Sequence, residues 1–138
     1  MIQSFEERLA TKGRNDCVDV TPRVVQAVHR AKIRMGQATV FVGGSTAAIT
    51  TIEYEPGVVR DLQAAIERLF PESLRYAHHE TAGDDNGFSH IRAAFFGPSL
   101  TIPIVDGCLA LGTWQQIVLL DFDTRPRERA LVIQILGD

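Results

Sequence analysis

Ile117-Val-Leu-Leu120 and Ala130-Leu-Val-Ile-Gln-Ile-Leu136 are two apolar runs near the end of a 138-residue chain. Both are of strand length and rich in β-branched residues, which favours strand over buried helix. A strand that is apolar at nearly every position is covered on both faces. In a chain this small, that predicts a sheet with helices on one face and another subunit on the other. The linking segment, Asp121-Phe-Asp-Thr-Arg-Pro-Arg-Glu-Arg129, is polar and carries a rigid basic turn.

Working outward, Leu100 to Val105 and Cys108 to Leu111 flank Asp106-Gly107, the dipeptide of a tight hairpin turn. Pro103 has no N–H to give a ladder, so it belongs at an edge or a bulge. Upstream, Ala38 to Val42 predicts a central strand. Gly43-Gly44 interrupts it, and Ser45 to Ile52 resumes the β signal, which reads as a bulge or a close approach of backbone or ligand. Residues 2 to 10 and 17 to 20 predict a first hairpin with an edge strand. Thr21-Pro22 marks a helix start, with Val24, Val25, Val28 and Ala31 on its apolar face and Gly36 as its stop. Pro56 opens a second helix, with Val58, Val59, Leu62, Ile66 and Leu69 at helical spacing. A short apolar helix over Ser89 to Phe96 closes at Gly97-Pro98. Without strict β-α alternation, this order predicts an α+β fold, in one domain over residues 1 to 138.

Composition narrows the classes. Hydrophobic residues are 45% of the chain, a globular value. Fourteen basic against seventeen acidic residues give a net charge of −3, which argues against a general nucleic-acid or membrane-surface binder. No apolar run approaches the length of a membrane span, and Met1 to Arg14 lacks the apolar core of a signal peptide. Cys17 and Cys108 have no CxxC spacing and read as reduced, buried thiols. A cytoplasmic location is expected.

Chemistry concentrates in Tyr76-Ala-His-His-Glu-Thr-Ala-Gly-Asp-Asp-Asn-Gly-Phe-Ser-His90. This stretch has no apolar periodicity and leads into a helix N-terminus, where unpaired N–H groups favour anions. It is either a site or a solvated loop of Asp and Asn turns. His78 and His90 with Asp84 and Asp85 suit a divalent ion, although the spacing matches no zinc motif. His90 also suits an anion contact or a general acid/base. Gly43-Gly-Ser-Thr46 has the flexible backbone and two hydroxyls of a phosphate-binding turn, or is a strand bulge. In Gly112-Thr-Trp-Gln-Gln116, Trp114 and Gln115 suit stacking on a flat ring, or a core indole. In the basic turn Arg125-Pro-Arg-Glu-Arg129 the arginine forks suit phosphate or carboxylate, or the turn is a solvated hairpin loop or an interface ion-pair cluster.

Several of these pieces occur together, in order, across nearly the whole chain. They are Gly44-Ser-Thr-Ala-Ala-Ile-Thr-Thr-Ile-Glu-Tyr-Glu-Pro-Gly57, His78, Asp84-Asp-Asn-Gly-Phe-Ser-His90, Gly97-Pro-Ser, Gly112-Thr-Trp-Gln-Gln116 and Asp121-Phe-Asp-Thr-Arg-Pro-Arg127. In this the chain resembles the YjbQ family. The resemblance implies a two-layer α/β sandwich with a mixed, largely antiparallel sheet, three copies packing their sheets about a threefold axis. It also implies a secondary thiamine-phosphate synthase activity, which joins a pyrimidine methyl diphosphate to a thiazole phosphate and releases pyrophosphate.

On that basis His78, Asp85, Asn86 and His90 are the candidate catalytic residues. Ser45, Thr46, Glu53, Thr113, Trp114, Gln115, Arg125 and Arg127 are candidates to bind a small phosphorylated metabolite. His78, Asp84, Asp85 and His90 are the candidate ligands of a divalent metal, Mg²⁺ or Zn²⁺. The alternative is a non-catalytic trimeric protein that binds a metal or a phosphometabolite. Two departures from the family pattern bear on the metal: Gly44 and Phe88 stand where many members carry histidine.

Overall fold

The strand signals assemble into two sheets rather than one. The computed structural model describes residues 1–138. Its elements run β1 (Ile2–Thr11), β2 (Asp16–Asp19), α1 (Thr21–Ala31), β3 (Gly36–Val42), β4 (Ala47–Ile52), α2 (Pro56–Leu69), α3 (Ala77–Ala82), α4 (Gly87–Phe96), β5 (Ser99–Val105), β6 (Cys108–Leu109), β7 (Gln116–Asp121) and β8 (Arg127–Gly137). A five-stranded sheet has the order β1-β8-β3-β5-β6 and a three-stranded sheet the order β2-β7-β4. Every strand pair is antiparallel. The class is α+β, as the element order predicts.

Side-chain alternation along the strands builds two apolar layers. Leu131, Ile133 and Ile135 of β8, with Ala38, Val40 and Val42 of β3, face Ile117 and Leu119 of β7 and the Val24, Ala27, Val28 and Ala31 stripe of α1. On the other side of the small sheet, Val118 and Leu120 meet Ile66 of α2, Ala93 of α4 and Phe122. The doubly apolar run of β7 is therefore covered on both faces within one chain, by the large sheet and by helices. β8 behaves differently: Leu131, Ile133 and Ile135 are buried, whereas Gln134 and Leu136 are exposed on the outer face.

Several local expectations change once the strands are sorted. β1 and β2 do not form a hairpin, because β1 pairs with β8 and β2 with β7. Gly43-Gly44 is not a bulge within a strand; it ends β3 in one sheet before β4 begins in the other. Thr21 begins α1 instead of capping it, and its hydroxyl accepts the Ile117 N–H at 2.8 Å, tying the start of β7 to the helix. α1 ends at Ala31, five residues before the expected stop at Gly36, with Lys32 in the left-handed region at φ 57°. Leu69 is exposed where the chain leaves α2, and Cys108 is exposed beside its turn, whereas Cys17 is buried. Burial and the neighbouring Asp16 and Asp19 push the Cys17 thiol up to about 11.

Other expectations hold. Asp106 and Gly107 both take positive φ in the predicted tight turn. The Pro103 carbonyl accepts from Ala110, just past the end of β6, so the missing proline N–H faces the side where the ladder has stopped. No helix is long and apolar enough to cross a membrane.

β7 is the strand whose packing both layers share, and Leu119 is fully buried between the sheets. Leu119→Ala is expected to lower unfolding free energy by about 2–5 kcal/mol through lost transfer and an unfilled cavity. Urea unfolding followed by circular dichroism checks this; a midpoint unchanged from wild type refutes the packing described.

Candidate functional site

The His-rich stretch is half helix. Ala77–Ala82 forms α3, which carries His78, His79 and Glu80 and buries none of its residues. α4 begins at Gly87, two residues earlier than the apolar pattern suggests. Its inner side is unusual, because Arg92 is 1% exposed. Arg92 donates from Nε and Nη2 to the Phe70 carbonyl at 3.0 and 2.8 Å and from Nη2 to Glu67 at 2.6 Å. Its guanidinium also lies 4.8 Å over the ring of Phe88, which is fully buried. Phe88 is therefore a core residue that packs against α4's own arginine. α3 docks on the first turn of α4 at Gly87: a Cβ there would lie 2.5 Å from Tyr76 Cβ, and the Gly87 N–H donates to His79 Nε2 at 3.3 Å.

This docking brings His78 and His90 together, with ring centroids 4.6 Å apart in an edge-on arrangement. His90 Nδ1 lies 3.1 Å from the Ser45 carbonyl. A carbonyl only accepts, so Nδ1 carries the proton and Nε2 is left as the ring nitrogen without a partner. His78 Nε2 is buried, has no hydrogen-bond partner and lies 3.6 Å from Asp84. His90 lines two adjoining hollows. One, of about 420 Å³, is bounded by Tyr76, Ala77, His78, Gly87 and Ile91. The other, of about 210 Å³, is bounded by Gly44, Ser45, Ala47, Ala93, Ala94 and Pro98. One compartment is thus aromatic and imidazole-lined, the other small and backbone-rich.

Behind Ser45 is a buried polar cluster. Arg129, 4% exposed, donates from Nε and Nη2 to the two carboxylate oxygens of Asp121 at 2.7 and 2.9 Å. Nη2 also reaches the Thr46 hydroxyl at 2.6 Å, and the Thr11 hydroxyl donates to Asp121 at 2.5 Å. Asp123 completes the cluster with Arg127 at 3.2 Å. Burial alone would raise the Asp121 carboxyl. Hydrogen bonds from Arg129, Thr11 and the Asp123 amide, with the Arg129 charge, outweigh it and hold the group below its ordinary value.

The expected site residues divide by location. His78, His90 and Ser45 converge, with Asp84 at the margin and Asn86 capping the start of α4, its buried Oδ1 without a partner. Thr46 is buried, its hydroxyl taken by the polar cluster, and Arg127 is paired with Asp123. Asp85 and Arg125 are exposed and form no ion pair within the chain. Glu53, Thr113, Trp114 and Gln115 are at the other end of the small sheet, since Ile52 pairs with Gln116 while Ala47 pairs with Asp121. Across the six residues of β7 that separation is roughly 17 Å. Trp114 is 73% exposed, so it is not a core indole, and Gln115 braces its turn through Gly112 and Thr51.

Arg129 belongs to the basic turn read from the sequence, but neither it nor Asp121 is singled out there as a site residue. The available signal was phase: Arg129 alternates in step with Leu131, Ile133 and Ile135 and so points inward. A resident divalent ion fits these side chains poorly, because no three His, Cys, Asp or Glu residues come together within the chain. Two imidazoles and one marginal carboxylate are an incomplete donor set for such an ion.

An α+β protein with two curled antiparallel sheets and a histidine cleft over the smaller one defines the class. The UPF0047 protein YjbQ-like profile matches residues 6–138, and the chain belongs to this family. A UPF0047 protein of Methanocaldococcus jannaschii is 36% identical over 135 residues, spanning 97% of this chain and 94% of that protein. A YbjQ-like protein of unknown function from Sulfolobus solfataricus superposes with a TM-score of 0.90 at 31% identity, covering 100% of both chains. A hypothetical protein from Aeropyrum pernix superposes at 0.92 with 30% identity, covering 99% of both.

Removing one partner of a buried ion pair leaves the other charge uncompensated. Asp121→Asn is expected to lower stability at neutral pH by about 3–5 kcal/mol, measured by urea unfolding. Because the folded carboxyl is depressed, the wild-type contribution is complete above the ordinary carboxylate range and is lost as pH falls through the depressed value. The variant's stability should therefore fall less steeply in acid; parallel pH curves would contradict the role given to Asp121.

Proposed function

We propose that the protein is an enzyme acting on a small phosphorylated substrate, with a thiamine-phosphate synthase-like transfer as the candidate reaction. The observation that carries this reading is His90, set on the shared wall of two hollows with Nδ1 held by the Ser45 carbonyl. A ring fixed at one nitrogen presents the other for proton transfer. In the transfer considered, the bond from the pyrimidine methylene carbon to the diphosphate oxygen breaks and its electron pair leaves with diphosphate. The thiazole nitrogen then supplies the pair for the new carbon–nitrogen bond. The aromatic compartment at Tyr76 and His78 suits a flat heterocycle, and the compartment at Gly44 and Ser45 suits a phosphate. His90 between them is placed to exchange a proton with the group being transferred or released.

The flat-ring contacts assigned to Trp114 and Gln115 lie too far from His90 to act within one copy. We infer that a homotrimer brings the Gly112–Gln116 turn of a neighbouring copy to the cleft. The outer face of the large sheet supports this assembly, since Ile2, Phe41 and Leu136 are exposed there at 66, 43 and 44%. A second reading is a binding protein without turnover; the buried, partnerless His78 Nε2 beside Asp84 favours a phosphometabolite as its ligand over a metal, whose donor set is incomplete there.

Thiamine phosphate formation from the pyrimidine diphosphate and thiazole phosphate, assayed with purified protein, tests the enzyme reading. His90→Ala is expected to reduce turnover by about 10²–10⁴-fold, the range for a lost acid/base group, without altering assembly. Equal turnover in that variant, or ligand retained and never consumed by the wild type, rejects it in favour of the binding protein.

Native mass spectrometry is expected to show three copies for the wild type and one for Phe41→Asp. Mixing His90→Ala and Trp114→Ala chains should restore part of the activity each lacks, because some clefts then combine intact residues from both. No recovery after demonstrated chain exchange rejects a shared site.

A further inference from the structure

The link between the sheets, Gly43 to Thr46, has donors that nothing in the chain uses. None of its four backbone N–H groups donates a hydrogen bond within the protein, although the Thr46 carbonyl accepts one from Phe122. Gly43, Gly44 and Ser45 are exposed, whereas Thr46 is buried, so the first three amides lie on residues open to solvent and the fourth at the edge of the core. Arg129 approaches the same link from beneath. Its Nε and Nη2 are taken by Asp121 and Thr46, while Nη1 makes no hydrogen bond. A Cβ built on Gly44 would sit 3.0 Å from Nη1, and Gly44 holds φ at +114°, a region that side chains disfavour. Glycine here keeps the backbone and the free edge of the guanidinium close together. Both carboxylates of the cluster already have donors: Asp121 has Arg129 and Thr11, and Asp123 has Arg127 and the Thr124 amide. The unused side-chain capacity within the ion-pair cluster is therefore the Nη1 donor of Arg129, next to the free amides of the link.

We propose that the Gly43–Thr46 amides and Nη1 of Arg129 form the seat of a tetrahedral phosphate group, with Arg129 as the buried cation of the site. This rests on the reading of the His90 cleft as a phosphometabolite site, and it specifies which groups hold the phosphate. The assignment differs from the sequence expectation, in which Arg125 or Arg127 gives the charge and the Thr46 hydroxyl gives a donor. Consecutive N–H groups beside a guanidinium recognise a phosphate oxygen by charge-assisted hydrogen bonds, without any specificity for the organic part. A phosphate seated at the link occupies the Gly44 and Ser45 hollow and leaves its organic part on the side of His90 and the imidazole-lined compartment.

The test is a titration of ¹⁵N-labelled protein with inorganic phosphate against chloride at fixed ionic strength. Saturable shifts centred on the amides of Gly43, Gly44, Ser45 and Thr46 and on the Arg129 side chain are expected. Arg129→Lys, which keeps charge but loses the planar fork, should weaken phosphate binding by at least about tenfold. Arg34→Gln removes a distant surface cation and should bind as wild type. Shifts scattered over exposed basic residues, or no saturation at the link, overturn the proposal using the wild-type protein alone, even if Arg129→Lys fails to fold. Full affinity in a folded Arg129→Lys removes Arg129 from the seat.

The same titration on His90→Ala separates this inference from the enzyme reading. Phosphate bound at the link with no turnover in wild type leaves the seat standing and rejects catalysis. Turnover that depends on His90 while the link amides stay silent leaves catalysis standing and rejects the seat.

Discussion

One ion pair ties the two sheets at the point where the chain passes between them. Arg129 stands on β8 of the large sheet and Asp121 on β7 of the small one, joined by two hydrogen bonds out of water. Thr11 adds β1 and Thr46 adds the approach to β4, so four segments meet at one carboxylate and one guanidinium. Buried charges repay their desolvation only when their geometry and remaining hydrogen bonds are satisfied. Here that requirement fixes how the sheets converge, and it holds the Gly43–Thr46 link at their junction.

From that junction the cleft follows. β4 leaves the link under α4, and the Ser45 carbonyl accepts a hydrogen bond from His90 Nδ1. Arg92 holds α4 to the end of α2 from the inside, with the Phe70 carbonyl and Glu67 as its partners. The polar cluster and the arginine of α4 thus fix two sides of one hollow. The docking of α3 at Gly87 brings the two histidines within reach of each other.

Much of this was legible in sequence. Helical spacing located α1 and α2, the Asp106-Gly107 dipeptide located its hairpin, and the density of His and Asp located the cleft. Pairing was less legible, because adjacent strand signals do not say which sheet each joins. β1 and β2, and likewise β3 and β4, are neighbours in sequence yet belong to different sheets. The doubly apolar run of β7 was read correctly as buried on both faces, but the cover comes from the chain's own second sheet. A basic turn suggested Arg125 and Arg127 as anion ligands, while the alternation of β8 singles out Arg129. Trp114 was legible as an unusual residue; its distance from His90 depends on strand register, which a motif list does not carry.

The walls of the cleft are built to different standards. α4 is anchored by fully buried Phe88, Ser89 and Arg92. α3 buries nothing and is held through Tyr76, His79 and the missing side chain of Gly87. Local opening costs least where few apolar contacts must be broken. His90 therefore stands on the firmly anchored wall and His78 on the wall whose opening would break the fewest apolar contacts.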